Sequence, residues 1–123
     1  HLASGQFNRF VQKPLQKILK GLKQCPTILF CRGASAFTKR LAHIAPQALS
    51  FDWTCDMQDV RSELSTICLQ GNLDPDILLT NPATVQKEAT ALLGKMKGDP
   101  AFIFNLGHGI HKDTPRENVE ALV

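Results

Sequence analysis

Apolar positions recur along this chain with two periods in turn. Residues 7–23, FNRFVQKPLQKILKGLK, set Val11, Leu15, Ile18 and Leu22 at steps of four, three and four, which is the spacing of one helical face. Arg9, Lys13, Lys17 and Lys20 fall on another face and read as a solvated outer stripe. Pro14 lacks an amide donor and crowds the preceding turn, so it either kinks this helix or opens its longer half. The pattern then shortens. TILFC (27–31), ALSFDW (48–53), TICLQG (66–71) and AFIFNLG (101–107) are brief and apolar at nearly every position, as strands buried on both faces are. Helical stretches separate them: SAFTKRLAHIA (35–45), Met57 to Leu64, and a longer one that starts at Asn81–Pro82 and carries Val85, Ala89, Leu92 and Met96 on one stripe. Thr114, Pro115 and Glu117 spell a capping box for a last helix.

An opening helix followed by strand and helix four times over predicts an α/β fold, a parallel sheet covered by helices. No linker or low-complexity run divides it, so the chain is one domain or part of one. Two features favour a part. The chain starts at His1, without an initiator methionine, in what reads as ordered sequence, and only Asn118 to Val123 follow the last capping box. A piece of a longer protein is therefore expected.

Composition narrows the setting. At 43% hydrophobic and 20% charged residues over 123 positions, the chain has enough apolar material for a core and too much for disorder. No window approaches the roughly 18 apolar residues of a membrane span, and HLASGQFNRF lacks the apolar centre of a signal peptide, so a cytosolic protein without a membrane partner is expected. A net charge of +3 suits an anionic small molecule and is too weak to argue for nucleic acid. Cys25, Cys31, Cys55 and Cys68 form no CxxC pair and read as small buried thiols outside any disulfide framework.

Parallel strands collect their carboxyl ends on one rim. Here those ends are polar: Arg32 and Gly33, then Asp52, then Gln70, Gly71 and Asn72, then Asn105, Gly107, His108 and Gly109. Such residues serve an active-site rim, or they cap the helices that follow. His108 is either held by a backbone carbonyl or available to a ligand. Gly107 and Gly109 favour the ligand, because they open backbone angles and permit close approach, and the loop suits carboxylates or phosphates. Asp52 and Asp56 read as general base or helix cap, with the cap favoured. His108 and His111 lack the partners that would complete a tetrahedral metal set, and neither a GxSxG elbow nor a GxxxxGK loop occurs.

Three motifs in order, LSFDW, LQGNLDP and FNLGHGI followed by DTPRENV, resemble the C-terminal half of uroporphyrinogen decarboxylase, and QFNRFVQKPL and ILFCRG extend the resemblance over essentially the whole chain. The resemblance implies that residues 1–123 are a partial domain, the last four strand–helix units of a (β/α)8 barrel. The implied activity is removal of CO2 from the four acetate arms of uroporphyrinogen III to give coproporphyrinogen III, with no metal or organic cofactor. It also implies uroporphyrinogen as the partner and leaves a homodimer open. By this resemblance His108 matches the family's cleft histidine, which binds substrate and orients its carboxylate arms. Asp52, Trp53, Gln70, Gly71, Asn72 and Asp74 match family motifs without an implied catalytic role. The family's PxWxMRQAGR-type motif, pyrrole-binding aspartate and cleft tyrosine are absent, and its strand-end serine or threonine would fall before His1. No catalytic residue is therefore expected within this chain, which alone should be inactive. Arg32 stands where the family commonly has lysine. Two alternatives stay open: a corrinoid methyltransferase-like barrel, although no HxC motif occurs, and a non-catalytic half-barrel that serves assembly.

Overall fold

The computed structural model describes residues 4–22, 25–33 and 35–123; His1 and Lys23, the start of the chain and the end of the expected opening helix, lie outside them. The opening helical segment comprises α1 (Ser4–Phe7), a π-helical turn (Asn8–Gln12) and α2 (Lys13–Gly21). Pro14 explains the interruption. The Lys13 amide reaches back to the Asn8 carbonyl, and Pro14, which has no amide to offer, sits in the first turn of α2. The wider turn also changes the packed face. Phe7, Val11, Leu15 and Leu19 lie on the core, whereas Ile18 and Leu22, expected inside, are exposed. Arg9, Lys13, Lys17 and Lys20 face solvent as expected.

β1 (Ile28–Phe30), β2 (Ala48–Ser50), β3 (Cys68–Leu73) and β4 (Phe102–Leu106) form a parallel sheet in the order β1-β2-β3-β4. Between them run a 3-10 turn (Ser35–Phe37) with α3 (Thr38–Ala42), α4 (Met57–Glu63), and a 3-10 turn (Pro75–Leu79) with α5 (Pro82–Lys95); α6 (Arg116–Leu122) closes the chain. The α/β reading holds, with β3 starting and ending two residues later than expected, so that Asn72 also lies within the strand. Asn81 caps α5 by accepting from the Thr84 amide at 3.0 Å, and Val85 and Ala89 are buried beneath it. The capping box of the last helix is not made. Pro115 adopts an extended conformation and is itself the cap residue of α6, which moves the helix start past Thr114 and leaves the Thr114 hydroxyl buried without a partner.

Each strand lies beside its predecessor in sequence, and the connecting helices pack on one face, where Leu41, Met57, Val60 and Leu92 join Leu49 and Leu69 in a single cluster. The row Leu29, Leu49, Leu69, Phe102 runs across that face. Leu49 and Leu69 are fully buried there with Phe51, Leu41, Met57 and Val60, and Phe7 stacks on Phe37 with ring centroids 4.1 Å apart. The opposite face departs from the expectation of strands buried on both sides. Ile28, Phe30 and Ile103 are 53%, 42% and 42% exposed, since no described helix covers them. No helix among the described residues is long and apolar enough to cross a membrane.

Candidate functional site

The uncovered face carries a concavity of 540 Å³. Its floor is the in-register row Phe30, Ser50, Gln70, with Ile28 one step below, and its wall is the segment from Asn105 to Ile110 that leaves β4. Ser50 is buried, and its hydroxyl accepts a hydrogen bond from Gln70 Nε2 at 3.2 Å. Two polar groups in otherwise apolar strands thus satisfy one another beneath an apolar opening. Phe30 and Ser50 did not stand out in the sequence. Ser50 and Gln70 are each the third residue of their observed strands, β2 and β3, a shared register that places both on one face of the sheet.

His108 stands on the rim of this concavity. Its ring meets Phe30 and Trp53 edge-on, with centroids 6.1 and 6.4 Å away. Among the described residues neither ring nitrogen has a hydrogen-bond partner, and the exposed ring is oriented by its aromatic contacts. The backbone-satisfied alternative is thereby set aside. The flanking glycines act differently from expectation. A β-carbon on Gly107 would come within 2.6 Å of the Trp53 amide nitrogen, so this glycine admits the neighbouring loop and not a ligand. Gly109 has open space around it.

The other polar strand ends tie the rim together. Asp52, only 3% exposed, accepts from the Gly33 amide and from both the amide and the hydroxyl of Thr54, which joins the β1 exit to the β2 exit. Asn72 Nδ2 donates to the carbonyls of Asp52 at 2.9 Å and Cys55 at 2.7 Å, and the Gly107 amide donates to Leu73 O at 2.7 Å. Gly71, at φ 138°, brings β3 against the Phe51 carbonyl. Asp52 is therefore not the cap of the helix that follows, and its carboxylate is engaged by the loop donors. The cap of α4 is Asp56, which accepts from the Gln58 amide at 2.8 Å and pairs with Lys95 at 2.6 Å. Asp74 caps the 3-10 turn by accepting from the Asp76 amide.

Burial alone would raise the Asp52 carboxyl, but the donors from Gly33 and Thr54, with the nearby Arg32 charge, outweigh it and hold the group below the ordinary carboxylate range. A carboxyl lowered in the folded state stabilises the fold above its unfolded pKa, and that contribution is lost as the pH falls through the lowered value. Asp52→Asn should therefore cost about 1–3 kcal/mol at neutral pH, and the gap to wild type should narrow in acid below 3.8. Urea denaturation of both proteins across that range checks it. A gap independent of pH would show that the charge contributes nothing.

Burial, reinforced by Asp52, pushes the Cys55 thiol up to about 11, and the same two causes raise Cys31, so neither is a thiolate nucleophile at neutral pH. The cysteines are less buried than expected: Cys25 is exposed, and Cys31, Cys55 and Cys68 are half-buried. No cluster of three or more potential metal ligands occurs among the described residues.

The family described as uroporphyrinogen decarboxylase (URO-D) matches residues 1–123 of this chain. A uroporphyrinogen decarboxylase of Protochlamydia amoebophila is 48% identical over 124 residues, covering 99% of this chain and 34% of that protein. Those of Paraburkholderia phytofirmans and an Azoarcus species are 36% and 37% identical, again over 99% of this chain and 35% and 36% of their own lengths. The chain spans about a third of the length of the curated relatives it matches.

Proposed function

Because the chain belongs to the uroporphyrinogen decarboxylase family, we propose that it is part of an enzyme that removes CO2 from the four acetate arms of uroporphyrinogen to give coproporphyrinogen. In this reading residues 1–123 are one partial domain, the last four strand–helix units of a (β/α)8 barrel. Sequential strand order with all helices on one face suits it, since the uncovered face would then become the barrel interior. The single observation that carries the functional reading is His108, held edge-on by Phe30 and Trp53 at the rim of the concavity with its nitrogens unengaged.

The residues divide the work by chemistry. Ile28, Phe30 and Ile110 offer apolar surface to the flat pyrrole rings, and His108 donates to a carboxylate arm. Asp52, Asn72 and Gly107 hold the loops that position that ring. Groups that bind the pyrrole nitrogens and stabilise the protonated intermediate come from outside this chain.

In the full-length protein, His108→Asn should lower turnover roughly tenfold to a hundredfold or change which intermediates accumulate, the worth of one charge-assisted hydrogen bond. Unchanged rate and product distribution would refute the role. Grafting this chain over the matching segment of the Protochlamydia amoebophila relative should preserve decarboxylation. A folded but inactive graft would favour the non-catalytic assembly reading.

A further inference from the structure

We propose that Arg32 is a second anchor for the substrate's carboxylate arms, set beside His108 on the other contact of Trp53. The proposal rests on the decarboxylase reading and adds a binding residue to it. The Arg32 guanidinium carbon lies 5.5 Å from the centroid of the Trp53 ring, the same ring that meets His108 at 6.4 Å. Stacking on an indole restrains a guanidinium while leaving its outer N–H fork free to take a carboxylate in two parallel hydrogen bonds.

The alternative is that Arg32 merely neutralises its neighbour Asp52. Asp52, however, is already engaged by the Gly33 amide and by the amide and hydroxyl of Thr54. Among the described residues Arg32 makes no ion pair, and it is exposed at the exit of β1. An exposed guanidinium fixed over an aromatic ring, next to a histidine with free nitrogens, is a site for an anion with more than one acidic group. His108 then takes one carboxylate arm and Arg32 another, so the two together favour a substrate whose arms are still intact.

The test is titration of the full-length protein with uroporphyrin, the oxidised and unreactive form of the substrate, followed by porphyrin fluorescence anisotropy at several salt concentrations. Arg32→Ala should bind roughly tenfold more weakly and lose part of the salt dependence. Arg32→Lys, which keeps the charge but not the fork, should recover part of the affinity. Lys17→Ala, which deletes a charge on the outer helix face, should bind as the wild type does. Equal affinity and equal salt dependence for wild type and Arg32→Ala would overturn the proposal. If the wild type itself neither binds uroporphyrin nor decarboxylates uroporphyrinogen, the decarboxylase reading falls first and the role of Arg32 falls with it.

Discussion

Gly107→Ala is expected to destabilise the fold by about 3 kcal/mol, at the upper end of what overpacking costs. The added β-carbon would lie 2.6 Å from the Trp53 amide nitrogen and 3.1 Å from two Asp52 backbone atoms. All three are main-chain atoms in a loop already braced by Gly33, Thr54 and Asn72, so no flexible side chain can yield instead. The strand end must retreat, which lengthens the 2.7 Å hydrogen bond from the Gly107 amide to Leu73 O and displaces the adjacent His108. Chemical denaturation should show a lowered midpoint, and the surviving folded protein should bind substrate poorly. Gly109→Ala is the matched control, because nothing lies within 4 Å of its added carbon. Equal stability of the two variants would mean that the β4 exit and the β2 loop are not locked together.

Arg61→Ala should cost a similar amount, about 3 kcal/mol, through a different mechanism. Its Nε pairs with Asp99 Oδ2 at 2.7 Å, Nη1 donates to Leu64 O and Ile67 O at 2.8 Å each, and Nη2 donates to Ala101 O at 3.1 Å. One planar guanidinium thereby satisfies three carbonyls where the chain enters β3 and β4. Its removal leaves the carbonyls and the Asp99 carboxylate without these donors in a part-buried position. Arg61→Lys keeps a charge for Asp99 but has a single donor centre, so it should recover about half of the loss. Urea melts of the two variants measure the ratio. A cost for Arg61→Ala within about 0.5 kcal/mol of zero would place this residue among ordinary surface charges.

Some of these positions are legible in the sequence and others are not, for identifiable reasons. His108 was legible because a histidine between glycines ends an apolar run, a pattern contained in seven residues. Arg61 was not, since it lies in a short polar helix like any solvated arginine, and its partners at Asp99 and Ala101 are 38 and 40 residues away. Asp52 was visible as a strand-end carboxylate, but its role depends on Gly33, which lies 19 residues before it.

Local order was determined by the sequence alone. The succession of helix, strand and helix, the parallel α/β class, and the start of α5 at Asn81 all follow from interactions within a few residues, such as the Asn81 side chain meeting the Thr84 amide. Backbone geometry at that range depends on spacing and propensity, which a sequence displays directly. Tertiary structure decided which face of the sheet is covered, that Phe30, Ser50 and Gln70 form one floor, and that Gly107 exists to admit Trp53. It also exposed Ile18 and Leu22 and left the Thr114 capping box unmade. An apolar strand has the same composition whether one face is covered or two, and a glycine has the same letter whether it admits a ligand or a neighbouring backbone. Those distinctions lie in contacts between segments far apart in the chain, and no local period encodes them.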